Sequence, residues 1–474
     1  MLVKKIALNA VWLLAGKVAA GLINIWTLAL IARYLGVDEY GTYAYCLAFF
    51  LIFQIIAIFG LDTILIREIA RESDQIPILL GQGIWLKTVM AALGFFIAIG
   101  TIWLVEGSWT HFKLVFIFSL SLFANAMGTP RVYFEAKLKA IYLVTVELFG
   151  KSLFLLLFLL GTNFSLSLTG LIWLFVLAEF ATALAIFGLA SRFVLPSFRF
   201  KFDVIRRLIA SAFPVALNSI FVVIYFRMDT ILLQFFKGSR DVGYYNAAYF
   251  VFAGLMFIPE AFSKSIFPVM AEVFHSASLS LSEIYHRSLK YMLTICLPTG
   301  LTGFMLAEEI IQLIYGESYA PAAGALKILS LAIVVMFLSY LVCTALFAMD
   351  RQRDVMWIAL INAVVNIGMN IAWIPRWSYI ATSASTVLTE GLGLFIGLLI
   401  VTRRIGFRIL PASRFGFLPI VAALAVQFAI IRILQGNFLL LVLPTALLGY
   451  TVVLLTLKWL DETDWSILRK ILQN

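Results

Sequence analysis

Long apolar stretches alternate with short polar segments along the whole chain. Fourteen of the stretches reach about 20 residues, the length that a helix needs to cross a bilayer. We therefore predict spans at residues 9–35, 42–61, 79–105, 112–130, 140–161, 166–190, 208–236, 242–264, 289–307, 323–349, 355–375, 378–402, 415–433 and 437–459. The apolar positions do not follow the period of two that a membrane β-barrel requires, so the pattern indicates helices.

The composition supports a membrane class. Hydrophobic residues make up 63% of the chain and charged residues 13%, whereas soluble domains have about 45–50% and about 25%. The expected fold is an all-α polytopic membrane protein with about 14 transmembrane helices. The net charge of +10 does not indicate a nucleic-acid partner, because the basic residues lie in short loops between apolar spans.

The distribution of these basic residues predicts the orientation. Numbered alternately, the loops on one side hold 24 of the 35 Lys and Arg residues, the other side holds seven, and four lie inside spans. Cytoplasmic loops carry the excess of positive charge. We therefore expect a multi-pass protein of the cytoplasmic membrane with both termini in the cytoplasm.

This orientation predicts which loops an impermeant thiol reagent reaches in intact cells. A single cysteine at Asn163, in a predicted external loop, is expected to react, and one at Ser197, in a predicted cytoplasmic loop, is not. The background should lack the native Cys46, Cys296 and Cys343. Labelling of Ser197→Cys in intact cells would reverse the predicted orientation.

One polar turn occurs twice in the chain. "GVDEYGTY" at 36–43 and "GSRDVGYY" at 238–245 share two glycines and a tyrosine at an offset of 202 positions. Each turn follows the first span of six, so both sets of six begin on the same side of the membrane. This pattern predicts a parallel repeat about an axis along the membrane normal.

The repeat divides the chain into three predicted parts. Residues 1–202 form an N-terminal six-helix lobe and residues 203–404 a C-terminal six-helix lobe. Residues 405–474 contain two additional transmembrane helices and a cytoplasmic tail. Basic and aromatic residues alternate in the joint between the lobes, 191–207, which we interpret as an interfacial segment attracted to anionic lipid.

Charged residues inside the spans indicate candidate binding positions. A charge at mid-membrane costs at least about 2.5 kcal/mol, so it usually faces a cavity or a partner. The four cations inside spans are Lys17, Lys87, Lys151 and Arg227. Helical periodicity places Arg227 nearly opposite the polar face of its own span, so we expect it to contact a neighbouring helix.

The first and seventh spans each have a polar face. Helical spacing groups Lys17 and Asn24 in the first span, and Asn218, Tyr225 and Asp229 in the seventh. Because the two spans are repeat mates, we expect their polar faces to meet across a central cavity. The alternatives to a binding role for Lys17 are a structural ion pair with Asp229 and burial of the lysine in its neutral form.

The complete candidate set has a simple chemistry of cations, amides, one phenol and one carboxylate. Its members are Lys17, Asn24, Lys87, Lys151, Asn218, Tyr225 and Asp229. Lys151 stands four residues after Glu147, so mutual neutralisation on one helix is an equal alternative for it. Neither the histidines nor the cysteines have metal-ligand spacing, and we expect no metal and no cofactor.

Three segments resemble a known family. They are "ARYLGVDEYGTYAY" at 32–45, "GLDTILIREIAR" at 60–71 and "YFRMDTILL" at 225–233. They resemble the Wzx-type polysaccharide biosynthesis flippases of the multidrug/oligosaccharidyl-lipid/polysaccharide exporter superfamily. The resemblance implies two six-helix lobes around a cavity and alternating access. It also implies transfer of a polyprenyl-diphosphate-linked oligosaccharide from the inner to the outer leaflet for cell-surface polysaccharide synthesis. The implied partners are this glycan lipid, membrane lipids and other polysaccharide assembly proteins.

Two other functions remain open from the sequence. A cation-coupled multidrug antiporter of the same superfamily would use a carboxylate such as Asp229, although the first span offers Lys17 instead. A membrane-embedded glycan polymerase would need long external loops, and the predicted external loops are short. The chain lacks a GxxxxGK[ST] motif, so we do not expect direct ATP coupling within it. Because the sequence shows neither long loops nor a nucleophile–base constellation, we expect a transporter without catalytic activity of its own.

Overall fold

A computed structural model describes residues 2–276, 281–405, 417–436, 438–459 and 464, and these residues contain helices but no strands. The helices are α1 Leu2–Ile58, α2 Leu61–Arg71, α3 Ile76–Glu106, α4 Trp109–Met127, α5 Arg131–Ala136, α6 Ala140–Thr162, α7 Leu168–Ser191, α8 Phe202–Lys237, α9 Ser239–Leu255, α10 Phe257–Ser276, α11 Leu281–Met305, α12 Ala307–Tyr315, α13 Ala322–Ala348, α14 Gln352–Ile405, α15 Leu418–Leu434 and α16 Leu439–Thr456. The chain is therefore an all-α membrane protein, as predicted.

Every predicted span lies on a helix in the described residues, which leave out 415, 416 and 437 of the last two spans. Among the described residues, ten helical stretches are long and apolar enough to cross a membrane. Two of these, Ala15–Arg71 and Gln352–Arg403, each hold two predicted spans, joined at kinks at Gly36 and Ser378. The two remaining predicted spans correspond to α11, which meets α12 at a 75° bend, and to the 17-residue helix α15.

Three short helices, α2, α5 and α12, are not in the predicted set. Each is too short or too charged for a search that looks for apolar length. The eleven residues of α2, for example, include four charged side chains as well as the buried Ile64, Leu65 and Ile69. Such amphipathic helices lie beside the spans and pack one apolar face inward.

The described chain divides into two compact units, residues 1–246 and 247–474. In the first unit, α2 is the centre of a buried cluster that includes Leu65, Leu80 of α3, Val132 of α5 and Leu208 of α8. The division of the sequence into lobes at 202/203 is a statement about the repeat and stays a prediction.

The two copies of the polar turn adopt the same backbone conformation. Gly36 has φ 72° and ψ 176°, and Gly238 has φ 83° and ψ −179°. Only glycine adopts this region readily. The repeated glycine is therefore required at each turn by the same geometry.

The two turns also pack against each other within the first unit. A Cβ atom added to Gly41 would lie 1.7 Å from the carbonyl oxygen of Ser239, and one added to Gly243 would lie 2.3 Å from that of Val37. The Thr42 hydroxyl donates to Ser239 Oγ at 3.0 Å. Backbone therefore meets backbone with no room for a side chain, and we refer to this contact as the paired turns.

In the second unit, α15 and α16 dock on α11 through polar groups. Pro298 has no N–H, so the carbonyl of Thr294 loses its partner within the helix. The Tyr450 hydroxyl donates to this carbonyl at 3.1 Å. Gln427 Nε2 donates to the Pro298 carbonyl at 3.1 Å and to Thr302 Oγ1 at 2.9 Å. The additional helices thus satisfy the backbone of a proline-containing span.

Candidate functional site

A cavity of about 710 Å³ lies in the first unit among α1, α4, α5, α6 and α7. Its wall carries an unusual number of ionisable side chains for a membrane protein. The cations are Lys17, Arg131 and Lys151, and the carboxylates are Glu135, Glu147 and Glu179. Charges at this density are costly in hydrocarbon, so the cavity is the candidate functional site.

Close packing of α1 on α6 brings Lys17 to the cavity. A Cβ at Gly16 would lie 2.4 Å from Cγ2 of Val144, so a glycine is needed for this approach. Asn9 Oδ1 accepts a hydrogen bond of 2.7 Å from the backbone N–H of Ala140, at the first turn of α6. This bond satisfies one of the free donors of the helix end and anchors α1 there. The exposed Lys17 side chain follows directly after the contact glycine.

The contact between α6 and α7 has the same form. A Cβ at Gly150 would lie 2.1 Å from Oγ1 of Thr182. Lys151 follows Gly150 and Glu147 precedes it by three residues, so both side chains reach the cavity from α6. Glu179 of α7 faces the same space, one turn before Thr182. The structure therefore brings together two of the predicted site residues, Lys17 and Lys151.

Lys87 is held in a buried ion pair. Its side chain is 1% exposed, and Nζ lies 2.9 Å from Oδ1 of Asp62. The second oxygen of Asp62 accepts from Arg131 NH2 at 3.0 Å. Asp62 thus ties α3 and α5 to α2, and of its two cationic partners the one on the cavity wall is Arg131. Lys87 pairs with Asp62 and is not among the residues that line the cavity, and its predicted binding role stays a prediction.

Removal of the buried Lys87 ammonium is expected to destabilise the protein. Lys87→Met leaves one oxygen of buried Asp62 without its partner while Arg131 still pairs with the other, so we expect a loss of about 1–3 kcal/mol in the free energy of unfolding. The control is Lys327→Met, which breaks the more exposed 2.6 Å pair with Glu308 and is expected to cost less than about 1 kcal/mol. Thermal unfolding in detergent measures both. Equal losses for the two variants would contradict the structural assignment of Lys87.

Glu135 lies outside the predicted spans, at the end of the cavity formed by α5. Burial raises the pKa of its carboxyl above the ordinary value, against the opposing effect of Arg131. Arg131 Nε lies 3.9 Å from Oε1 of Glu135. This carboxylate therefore holds a proton at higher pH than an exposed glutamate would.

The other predicted residues lie elsewhere on α1 and α8. Asn24 and Tyr225 are half-buried, and the carboxylate of buried Asp229 accepts a 2.9 Å bond from the Tyr245 hydroxyl. In the part of the chain that the structure describes, these three do not line the cavity. The side chain of Asn218 lies outside the described residues. The central cavity expected between the first and seventh spans stays a prediction.

The alternative pairing of Lys17 with Asp229 meets a difference in depth. The helical segments that carry the two residues both lead into the paired turns. Lys17 lies 19 positions before Gly36, and Asp229 lies nine positions before Gly238. At about 1.5 Å of rise per residue, the two positions differ by about 15 Å along the helices. This separation exceeds the reach of the two side chains and favours separate roles.

Sequence reasoning missed Arg131, Glu135 and Asn125 of the cavity wall. Arg131 follows directly after the predicted span 112–130, and apolar length does not show that the segment after this span forms a helix. The signal that could have found the pair is the spacing of Arg131 and Glu135, four apart directly after Pro130. This spacing is typical of one exposed helical turn.

Comparison with known proteins agrees with this architecture. The chain matches the family described as "Polysaccharide biosynthesis protein" over residues 6–274 and the family described as "MatE" over residues 214–372. A curated relative is the "Probable flippase AglR" of Haloferax volcanii, 31% identical over 205 residues. That match covers 42% of this chain and 41% of the relative, so the chain spans about two fifths of the length of the relative.

Two solved structures share the fold. The "Lipid II flippase MurJ, inward closed conformation" superposes with a TM-score of 0.76 at 14% identity, over 95% of this chain and 99% of that one. An inward-facing multidrug resistance MATE family transporter has a TM-score of 0.67 at 14% identity, over 82% of this chain and 94% of that one. With a family match over more than half of its length, the chain belongs to the polysaccharide biosynthesis protein family.

Proposed function

We propose that the protein is a flippase for a polyprenyl-diphosphate-linked oligosaccharide, which it moves from the inner to the outer leaflet of the cytoplasmic membrane. The observation that carries the proposal is the convergence of Lys17, Lys151 and Arg131, from α1, α6 and α5, on one cavity. A diphosphate is the part of such a lipid that hydrocarbon excludes most strongly. Cations on the cavity wall offset this cost by charge-assisted hydrogen bonds.

The remaining wall groups fit the rest of the substrate. Glu135, Glu147 and Glu179 lie on the same wall as the three cations, so they offset part of the positive charge before the diphosphate enters. Asn9, Asn125 and Thr182 offer amide and hydroxyl groups of the kind that bind sugar hydroxyls. The polyprenyl chain remains in the hydrocarbon of the bilayer, so its movement between leaflets does not require apolar surface to enter water.

The relatives support a flippase. The family carries the description of polysaccharide biosynthesis, a partly matching relative is named a probable flippase, and a protein of the same fold is a lipid II flippase. Two of these names describe a flippase, and one of the two specifies a lipid substrate. We extend this property to the present chain, with transport and no change in covalent bonds, and with other polysaccharide assembly proteins as partners.

The second candidate is a cation-coupled antiporter. Two observations favour it: the carboxylates Glu147 and Glu179 on the cavity wall, and the match of residues 214–372 to the MatE family. An antiporter would bind a cationic compound at these carboxylates and would be indifferent to Lys17. The flippase requires the cations of the wall, so charge reversal at Lys17 separates the two functions.

Deletion of the gene tests the proposal in cells. We expect a polyprenyl-diphosphate-linked oligosaccharide to accumulate, detected by mass spectrometry of the lipid extract, and to disappear when the gene is restored. The control strain carries the same deletion with an empty vector. A deletion strain with an unchanged lipid-linked glycan pool and a new sensitivity to cationic drugs would support the antiporter instead.

A further inference from the structure

The segment that joins the two sets of six spans is held against the rest of the first unit by hydrogen bonds. No helix covers residues 194–201, which run extended or irregular between α7 and α8. The Ser197 N–H donates to the Pro77 carbonyl at 2.7 Å, and Gln82 Nε2 donates to the Arg199 carbonyl at 2.5 Å. A Cβ at Gly81 would lie 2.0 Å from the Ser197 carbonyl oxygen. The segment therefore lies directly on the first turns of α3.

The ends of this segment are held by aromatic contacts. Phe193 packs with Tyr142 at a ring distance of 5.5 Å, and Lys139 Nζ lies 3.9 Å from the centre of the Phe193 ring. At the other end, Phe200 meets Trp85 of α3 edge to face at 5.2 Å. Trp85 is itself exposed on a membrane-spanning helix. Phe200 therefore lies at the same level along α3 as Trp85, a residue that we expect to face lipid.

Between these anchors, large apolar side chains are exposed in an unusual number. Leu195, Phe198, Phe200 and Phe202 have 59–69% of their surface accessible. Soluble surfaces rarely expose such a contiguous patch unless it binds a partner. Aromatic rings next to a membrane span are typical of the interface between headgroups and acyl chains. Since Phe200 continues the lipid-facing surface of Trp85, the partner that fits this patch is the bilayer itself.

Basic residues accompany the aromatic ones. Arg199, Lys201 and Arg206 are exposed and lie within the same stretch, with Asp203 as the exposed acidic residue among them. Arg207 differs, because it pairs with Glu72 at 3.3 Å and with Glu68 at 3.8 Å. In an extended chain, alternate residues point to opposite sides, and Lys201 has the extended angles φ −127° and ψ 102°. Aromatic and basic side chains thus alternate along a segment fixed at the membrane edge.

We propose that residues 195–206 form a binding site for the headgroups of anionic phospholipid, which we call the lipid strap. The phenylalanines enter the boundary of the acyl chains, while Arg199, Lys201 and Arg206 meet the lipid phosphate and its net negative charge. The cytoplasmic leaflet has a negative surface potential that favours this arrangement. The proposal is independent of the transported substrate. It depends instead on the predicted cytoplasmic position of the segment.

Native mass spectrometry of the purified full-length chain tests the site. The probes are phosphatidylglycerol and phosphatidylcholine with identical acyl chains, added separately in detergent. We expect the unmodified protein to retain phosphatidylglycerol preferentially. In the double variant Arg199→Gln/Lys201→Gln, the loss of each cation is expected to reduce this preference by about fivefold. The matched control is Arg353→Gln/Arg403→Gln, which removes the same charge from exposed positions in two other predicted cytoplasmic loops. It is expected to keep the preference.

Two further measurements protect the interpretation. The melting temperature in phosphatidylcholine checks the fold. We expect both double variants to melt at the temperature of the unmodified protein, because the altered side chains are exposed. Inorganic phosphate is expected not to compete with phosphatidylglycerol, since the site takes a lipid. Equal retention of both lipids by the unmodified protein, or equal loss in the control variant, would overturn the proposal. Displacement of phosphatidylglycerol by phosphate would also overturn it, by indicating a simple anion site.

Discussion

Lys17→Glu is expected to reduce transport by about ten- to hundredfold in a complementation assay at matched protein levels. The lysine lies on the wall of the cavity with Lys151 and Arg131, and a hydrogen bond to a charged group contributes about 1.5–3 kcal/mol. Charge reversal removes this contribution and adds repulsion toward the diphosphate. Because Lys17 is exposed to the cavity, the substitution should leave the fold intact.

Three companion variants interpret this result. Lys17→Arg keeps the charge and is expected to keep much of the activity. Lys113→Glu makes the same reversal at an exposed position of α4 that is not on the cavity wall, and should be active. Restoration of transport by Lys17→Ala/Asp229→Ala, where each single change fails, would instead indicate a structural pair. Full activity of Lys17→Glu would rule out contact with the diphosphate.

Gly41→Ala is expected to have the second large effect, through the paired turns. The new Cβ would lie 1.7 Å from the backbone oxygen of Ser239, which cannot move aside as a side chain tip could. Overpacking costs about 1–3 kcal/mol, and here it acts selectively on the state in which the turns touch. If the turns close the predicted external side during alternating access, transport should fall at least about tenfold.

The control for this variant is Gly21→Ala on the same helix, where an added Cβ meets nothing within 4 Å. It is expected to transport normally. Accessibility of a single cysteine at Thr42 to an impermeant thiol reagent, a change that also removes the Thr42 hydroxyl, should increase in the Gly41→Ala background, because the turns no longer close. Normal transport and unchanged labelling in Gly41→Ala would show that the contact has no role in closure.

The spans could be predicted from sequence because apolar length alone specifies them. All fourteen predicted spans lie on helices, including the two pairs that the chain joins at Gly36 and Ser378. The short helices α2 and α5 could not be predicted in this way. Their stability comes from one buried face, and neither hydropathy nor length distinguishes such a face from a polar loop.

The site was predictable only in part, because side-chain partners distant in sequence decide it. The sequence indicates that Lys17, Lys87 and Lys151 each need either a cavity or a counter-charge. It does not indicate which of the two each lysine has. Asp62 is 25 positions from Lys87 and became its partner through the fold of α2. Asp62 also pairs with Arg131 of the cavity wall, a residue whose sequence context indicates only a loop.

Three asparagines of α14, Asn362, Asn366 and Asn370, illustrate the same limit. Their spacing of four is compatible with a sugar path or with hydrogen bonding between helices. Asn370 donates to Asn366 at 3.0 Å and accepts from the Ser385 hydroxyl at 2.8 Å, across the two arms of α14. These bonds favour the structural interpretation for Asn366 and Asn370.

Reconstitution measures the central claim most directly, namely that the cavity cations carry a diphosphate-linked glycan across the bilayer unchanged. Purified protein is placed in liposomes that contain a polyprenyl-diphosphate oligosaccharide with a fluorescent sugar, and an impermeant reductant added outside quenches the exposed label. With the unmodified protein and with Lys17→Arg, we predict quenching of nearly all the label, with the glycan mass unchanged. With Lys17→Glu, we predict that about half the label, the inner-leaflet pool, stays protected, as in protein-free liposomes. Equal protection with the unmodified protein and with protein-free liposomes, or a change in glycan mass, would contradict the account.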